Sequence, residues 1–364
     1  MAEIKVKTPS GDYSVHIGIQ IFKEKLRELY PEILDKVFAA VDSEVWKHHS
    51  VHINSVLHEI ADNVHLYIIP SGESSKSTEE WVKLTSYLLE NGIRRNVPLI
   101  SIGGGVTGDI AGFAASTVMR GVPLIHVPTT LLAMTDSAVG GKTGINHKSG
   151  KNLIGTFYQP ECVIADTSFL NTLPQSEWVN GLSEVLKYAC IKDENLFSLC
   201  DRIPKEDLKQ MTDDLLYNIV VSSVQVKADI VTLDEKESGI RAWLNFGHTF
   251  AHALEKWAGY GTISHGEAVF IGMLAAIRFS NNMGAVLNPI RILAFHPLYK
   301  IEIDKKNLST DTLITNMSSD KKKTSSSLKL VLLKDWQQPY QHDTDNTELL
   351  IDAWQYALQY IRQN

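Results

Sequence analysis

Three histidines fall in the stretch LNFGHTFAHALEKWAGYGTISHGE, which runs from Leu244 to Glu267: His248, His252 and His265. His248 and His252 are four apart, so they share a face of any helix formed there, and His265 follows a glycine-containing turn. Imidazole suits a zinc-like ion, which needs three N/O-type protein ligands and an open position for catalysis. Glu184 adds a carboxylate, with Lys187 one turn later on the same face, so an anion and a cation would enter one pocket together. A lone histidine on a helix is more often packed or capping than a ligand, but three beside Gly247 and Gly266 reverse that expectation. Spacing favours an HxxxH metal pair without deciding which of the two coordinates. The general base of the HExxH metalloproteases is absent, because Thr249 follows His248.

A second constellation suits anion binding. SIGGGVTGDIAGF places Gly103, Gly104 and Gly105 directly after an apolar run and before a helical pattern, where backbone N–H groups can cradle a pyrophosphate. The spacing is neither the Rossmann GxGxxG nor a Walker A loop. Upstream, PSGESSKS supplies Glu73 and Lys76, and Asp42 ends an earlier run, a placement that suits ribose hydroxyls. PTTLLAMTDSAVGGKTGINHKSGKNLIG then gathers Asp136, Lys142, Lys151 and Asn152 among small residues, where cations and backbone could surround a phosphate. The bland reading of that segment is a solvated loop with ordinary lysines.

These residues need a scaffold, and the sequence supplies two textures. Up to about Leu173, KVFAAVD, VHLYIIP, VPLISIGGG, VPLIHVPTT and CVIAD read as strands, with STEEWVKLTSYLLENG as an intervening helix. That is the pattern of a largely parallel α/β sheet, whose carboxyl edge collects ligands. After it, SEWVNGLSEVLKYACI, DDLLYNIVVSSVQVKADIV and GEAVFIGMLAAIRFSNNMG repeat apolar residues at three and four, predicting a helical bundle. A boundary near Pro174 gives an α/β domain over 1–173 and a mainly helical domain over 174–364. SSDKKKTSSS reads as a solvated basic loop before the strand-like LKLVLL.

Bulk properties exclude several classes. With 364 residues, 44% hydrophobic and 21% charged, the chain reads as an ordinary globular protein of two domains. A net charge of -7 argues against nucleic-acid or anionic-membrane partners, so any anionic substrate must meet a local basic site. Cys162, Cys190 and Cys200 form no CxxC pair, which predicts reduced thiols in the cytoplasm. The N-terminus alternates like a strand and lacks a signal-peptide core, and no apolar run approaches the roughly 18 residues of a membrane span.

In GGGVTGDIAGFAASTVMRG, the PTTLLAMTDSAVGGKTGINHKSGKNLIGTFYQP block, GLSEVLKY and the RAWLNFGHTFAHALE and SHGEAV blocks, the chain resembles the 3-dehydroquinate synthases, over about Asp42 to Lys322. The resemblance implies a Rossmann-like NAD-binding domain, a helical metal- and substrate-binding domain, an active site in the cleft between them, and a homodimer. It implies NAD and one divalent ion, zinc or cobalt, as cofactors, with Glu184, His248 and His265 holding the ion. His252 is then a neighbour of the substrate phosphate, together with Lys142, Asn152, Asn245, Lys321 or Lys322, and Arg120 from the neighbouring subunit. Lys227 and Arg241 would hold the substrate carboxylate, and Asp136, Lys187 and Glu237 would complete the pocket. The NAD positions implied are Asp42, Glu73, Lys76, Gly104, Gly105, Asp109, Thr129, Thr130, Lys151 and Thr172.

The resemblance implies conversion of 3-deoxy-D-arabino-heptulosonate 7-phosphate to 3-dehydroquinate, with NAD regenerated in each cycle. Other sugar-phosphate cyclases, such as 2-deoxy-scyllo-inosose synthase, act on substrates without a carboxylate, on which Lys227 and Arg241 would be wasted. Metal-dependent glycerol and alcohol dehydrogenases need no phosphate clamp. A non-catalytic NAD-binding descendant is disfavoured by the complete set of metal, phosphate and carboxylate positions.

Overall fold

Runs of Val, Ile and Leu between glycine, proline and aspartate punctuation form one sheet, because branched side chains fit a pleated surface covered on both faces. The computed structural model describes residues 1–259, 261–303, 308–319 and 327–363. By compactness the chain divides into two units: Met1–Pro174 with Lys227–Lys236, and Gln175–Val226 with Glu237–Asn364.

The first unit contains β1 (Ala2–Val6), β2 (Tyr13–Gly18), β3 (Leu34–Asp42), β4 (Ala61–Ile69), β5 (Leu99–Gly103), β6 (Leu124–Pro128), β7 (Lys142–His147), β8 (Gly150–Phe157) and β9 (Cys162–Asp166). Seven of them form a sheet in the order β1-β2-β9-β6-β5-β3-β4, antiparallel at β1/β2 and parallel elsewhere. Strands β5, β6 and β9 are buried at every position, as their unbroken apolar runs require. Helices α1 (Phe22–Leu29), α2 (Ser43–His58), α3 (Thr78–Glu90) and α4 (Gly105–Thr117) connect strands. The chain leaves β3 for β4 on one side and returns to β5 on the other. The carboxyl ends of β3 and β5, with Asp42 and the Gly103–Gly105 turn, therefore stand at the topological switch point, where open α/β sheets bind ligands.

Strands β7 and β8 make a separate antiparallel hairpin with an irregularity between Ile145 and His147. The sequence offered a loop there as the bland alternative. The difference has a physical reason: β8 is half-buried at its first two residues and exposed from Asn152 to Phe157, so it shows no apolar periodicity.

The second unit is built on α5 (Gln175–Ile191), α6 (Glu194–Asp201), the start of α7 (Asp213–Leu233), α8 (His248–Ala258), α9 (His265–Asn282), α10 (Ile290–Leu293), α11 (Thr310–Ser319) and α12 (Thr347–Leu358). Short strand pairs join β10 (Glu302–Ile303) to β13 (Arg362–Gln363), and β11 (Leu328–Leu333) to β12 (Pro339–Thr344). Helix α9 is the core element, buried almost throughout from Gly266 to Ser280. Each large apolar side chain buried there contributes about 1.5–3 kcal/mol. Glycine lets two backbones meet: a Cβ on Gly272 would lie 2.1 Å from the Gly247 carbonyl oxygen.

The end of α7 packs with the first unit, although the boundary expected near Pro174 assigns it to the second. Specific bonds hold it there. The Lys227 ammonium donates to the Asp136 carbonyl at 2.6 Å, the Thr232 hydroxyl accepts from Lys7 N–H, and Gln159 donates to Glu235.

Candidate functional site

In the second unit, helix geometry gathers Glu184, His248 and His265, whose ligand atoms lie within 4.8 Å of one another. Glu184 is in the middle of α5 and wholly buried. His248 opens α8 directly after Gly247, whose φ of +80° provides the left-handed turn into the helix. His265 opens α9 behind Ser264, which forms a capping box with Glu267. From α5, Asn180 Oδ1 accepts the Gly266 N–H at 2.7 Å, and Ser183 Oγ donates to the Gly266 carbonyl at 2.6 Å. These two bonds tie the turn of α5 just before Glu184 to the residue after His265 and so hold the two ligands at a set distance.

The Nε2 atoms of His248 and His265 lie 3.3 and 3.4 Å from the same oxygen, Glu184 Oε1. A tetrahedral ion with bonds near 2.0 Å separates its ligands by roughly 3.3 Å. His248 Nδ1 lies 3.3 Å from the Phe246 carbonyl, which can only accept, so the proton belongs on Nδ1 and Nε2 keeps its lone pair. Among the described residues neither Glu184 oxygen has a partner of good hydrogen-bond geometry, although Lys187 pairs with Oε2. The trio therefore fits a divalent ion in ligand type and spacing.

Lys187 contacts the Glu184 carboxylate one turn along α5. Burial alone would raise the Glu184 carboxyl, but the Lys187 ammonium and His248 hold it well below the ordinary range, as the anion a metal needs. Burial pushes His248 down against the pull of Glu184. For His265, burial also acts downward, but Glu184 and Glu255 outweigh it and raise the imidazole to about 9.

His252 is exposed, and its ring meets that of His248 edge-on at 5.7 Å. It stands outside the trio. Arg241 is buried on the turn Ile240–Asn245, and Asn245 Nδ2 donates to Glu237 Oε1 at 2.5 Å. Glu237 and Asn245 line a cavity of about 350 Å³ with Gly239, Thr249, Lys329 and Gln341. Lys321 and Lys322 lie outside the described residues.

In the first unit, Gly104 caps α4 with no side-chain partner for the first-turn N–H groups, leaving donors for an anion. A Cβ on Gly104 would lie 3.1 Å from Thr130 Cγ2, and one on Gly105 would lie 3.0 Å from Ser137 Oγ. Thr129 Oγ1 is buried without a hydrogen-bond partner among the described residues. This glycine turn with an orphaned hydroxyl fits a nucleotide phosphate. Asp42 caps α2, accepting from Glu44 and Val45 N–H and from the Ser71 hydroxyl. Lys76 is buried against Asp109, whose carboxyl is pushed up by burial against the pull of that ammonium. Thr172 Oγ1 shares a hydrogen bond of 2.7 Å with His49 Nε2.

Asp136 lies on the turn Ala133–Ser137, with the Lys227 ammonium on its carbonyl and carboxylate. Lys142, Lys151 and Asn152 sit on the β7–β8 hairpin, Asn152 with a left-handed φ of 57°. Arg120 is exposed at a φ of 65°, following Met119 at 52°. Two left-handed non-glycine residues in succession store backbone strain.

A 3-dehydroquinate synthase N-terminal family model matches residues 66–180, and the corresponding C-terminal model matches residues 181–323. The chain belongs to the 3-dehydroquinate synthase family. A 3-dehydroquinate synthase of Bacillus cytotoxicus is 40% identical over 341 residues, 92% of this chain and 91% of the relative. Among solved structures, 2-epi-5-epi-valiolone synthase of Streptomyces hygroscopicus, with NAD+ and Zn2+ bound, superposes at a TM-score of 0.86 and 24% identity over 97% of this chain and 98% of the other. A 2-deoxy-scyllo-inosose synthase complexed with carbaglucose-6-phosphate, NAD+ and Co2+ gives 0.82 at 24% identity over 96% and 99%. At that identity the two structures establish the shared fold.

Sequence reading passed over two side chains that touch this family's motif residues. Glu255 Oε1 lies 3.7 Å from His265 Nδ1. Its place seven residues after His248, two turns along the same face, was the available signal. Asn146 bonds to Glu73 and to the backbone of Asn152, and no local pattern marks it.

Proposed function

We propose that the chain converts 3-deoxy-D-arabino-heptulosonate 7-phosphate to 3-dehydroquinate and phosphate. The steps are transient oxidation, β-elimination, reduction, ring opening and intramolecular aldol addition. The observation that carries this reading is the trio of buried Glu184 and His248 with half-buried His265, and Lys187 beside it, in a chain of this family. When bound, NAD takes and returns a hydride while a divalent ion, zinc or cobalt, polarises the alcohol oxygen being oxidised.

The chain's own residues hold, orient and balance charge. Glu184, His248 and His265 hold the ion, and Lys187 keeps Glu184 ionised. Asp42, Glu73, Lys76, Gly104, Gly105, Asp109, Thr129, Thr130, Lys151 and Thr172 would bind NAD, and the first-turn N–H groups of α4, which no side chain caps, would supply donors for its pyrophosphate. Lys227 and Arg241 hold the substrate carboxylate, a charge-assisted contact in which the planar guanidinium supplies two donors. Asp136 orients Lys227, and Glu237 holds Asn245. Lys142, Asn152, Asn245, His252 and one of Lys321 and Lys322 bind the phosphate, with Arg120 of a second copy in a homodimer. Strain at Arg120 suits a residue whose direction matters. A cytoplasmic location agrees with three free, buried cysteines and with the absence, among the described residues, of a helix able to cross a membrane.

The test is a coupled assay with purified protein, NAD+ and zinc or cobalt. Phosphate release from the heptulosonate phosphate without NADH accumulation is expected. Release from glucose 6-phosphate or sedoheptulose 7-phosphate instead would transfer the chain to another cyclase activity, and net NADH would indicate a dehydrogenase.

A further inference from the structure

Asn146 lies at the irregularity of the β7–β8 ladder, between the pairs Ile145↔Ile154 and His147↔Gly150. A bulge of this kind frees a residue from cross-strand pairing and re-aims its side chain. Here the amide is used at both ends. Nδ2 donates to Glu73 Oε1 at 2.7 Å, and Oδ1 accepts the backbone N–H of Asn152 at 2.9 Å. Its main-chain N–H donates to the Lys76 carbonyl at 2.8 Å, and the Lys76 side chain is paired with Asp109. Asn152 is exposed, on a strand exposed from there to Phe157, so packing does little to fix its left-handed backbone.

We propose that Asn146 is a positioning residue that couples cofactor binding to phosphate binding. This rests on the functional reading above, in which Glu73 serves NAD and Asn152 serves the phosphate. A ligand that fixes Glu73 also fixes the amide, and the amide fixes the backbone that presents Asn152. The second ligand then has less disorder to remove. Reciprocity follows: if NAD tightens phosphate binding by some factor, the phosphate ligand tightens NAD binding by the same factor. Asn146 touches neither ligand in this scheme and acts through its two partners.

Two variants separate the arms. Asn146→Ala removes both contacts but keeps the main-chain bond to Lys76. Asn146→Asp keeps an acceptor for Asn152 N–H and sets a carboxylate against Glu73. The experiment measures the dissociation constant of NAD+ on the zinc-loaded full chain. It is repeated with and without a phosphonate analogue of the heptulosonate phosphate, whose P–C bond cannot be eliminated. In the unaltered protein the analogue should tighten NAD+ about fivefold or more, within the usual range of coupling between sites.

Asn146→Ala should bring that factor close to one and raise substrate KM about tenfold, with a smaller effect on kcat. Asn146→Asp should weaken NAD+ while leaving analogue binding without NAD+ unchanged. The paired change Asn146→Asp with Glu73→Gln restores a donor facing an acceptor. Because Glu73 itself serves NAD, NAD+ affinity should stay reduced, as in Glu73→Gln alone, while the coupling factor recovers relative to Asn146→Asp, a rescue that a merely structural role does not provide. If Asn146→Ala does not fold, the Asp variant and its paired rescue decide the question. A coupling factor retained in Asn146→Ala, or absent from the unaltered protein, overturns the proposal and leaves the functional reading in place. Failure of the unaltered protein to bind either ligand overturns both.

Discussion

His248 and His252 stand one turn apart on α8 with rings 5.7 Å apart, yet only His248 directs Nε2 to Glu184 Oε1, at 3.3 Å. The difference comes from the ends of helices. His248 is the first residue of α8, oriented by the Phe246 carbonyl, and it meets His265, the first residue of α9. A fourth ligand at His252 is unnecessary for an ion that keeps an open catalytic position.

His248→Ala should therefore lose metal and His252→Ala should keep it. Loss of one of three ligands should weaken the ion by more than the roughly 10–100-fold that outer-shell changes cost. Metal content after dialysis, and the absorption spectrum of cobalt-loaded protein, read this directly. His252→Ala should hold one ion per chain with an unchanged spectrum, and raise substrate KM. Equal metal loss in both variants would restore the HxxxH pair that spacing alone favoured.

The position of His265 depends on an absent side chain. A Cβ on Gly266 would lie 2.3 Å from the Asn180 carbonyl oxygen and 2.6 Å from Asn180 Cα, which are backbone atoms that cannot step aside. Gly266→Ala should force α5 and α9 apart, destabilising the fold by about 1–3 kcal/mol. It should weaken metal binding as well, because Glu184 and His265 separate with their helices. Urea unfolding and chelator competition on the same variant measure the two effects. Normal metal affinity in Gly266→Ala would show that the α5–α9 contact does not set the ligand distance.

How much of this was legible in the sequence follows from what each residue's partners are. The strand ending at Asp42 announces itself as a short unbroken apolar run, buried from Val37 to Val41. The helix carrying Glu184 does so as a longer stretch with apolar residues three and four apart, although the fold buries it on every side from Gly181 to Ile191. The β7–β8 hairpin does not, because β8 is largely exposed and mixes glycine with polar residues. Glu255 could have been found from its heptad distance to His248. Asn146 could not, because its partners Glu73 and Asn152 join it only through folding, and asparagine in a polar segment carries no signal. The end of α7 has the same character: its periodicity declares a helix, while Asp136 and Lys7 decide which unit it packs with.

Buried His126 on β6 makes acid stability a test of the first unit. Burial holds its imidazole down at about 4 against an ordinary 6.5. The folded state keeps this ring neutral between those values while the unfolded chain protonates it, so the unfolded state binds more protons there. Its contribution is fully present above about 6.5 and is lost as pH falls toward 4. Roughly 2 kcal/mol should disappear between about pH 7 and about pH 5 on this account. His126→Leu should remove that part of the slope in urea unfolding at the two pH values. An unchanged slope would mean that the buried ring is protonated without cost.

Lys76 and Asp109 form a buried pair beside the glycine turn, with side chains 6% and 20% exposed. Removing one partner of such a pair leaves an uncompensated charge, which costs about 3–5 kcal/mol when burial is deep. Lys76→Met should approach the lower end, because Asp109 retains some solvent and can take up a proton, a direction burial already favours. Changing both residues together, Lys76→Met with Asp109→Leu, should restore much of the stability, since two apolar groups leave no charge to desolvate. With Lys76 and Asp109 serving NAD as proposed, NAD+ affinity should fall in the single variant and in the double one alike. Urea unfolding and NAD+ titration of the three proteins separate the two roles: recovery of NAD+ binding in the double variant would make the pair purely structural, and no recovery of stability would show that the pair is worth more than the apolar contacts replacing it.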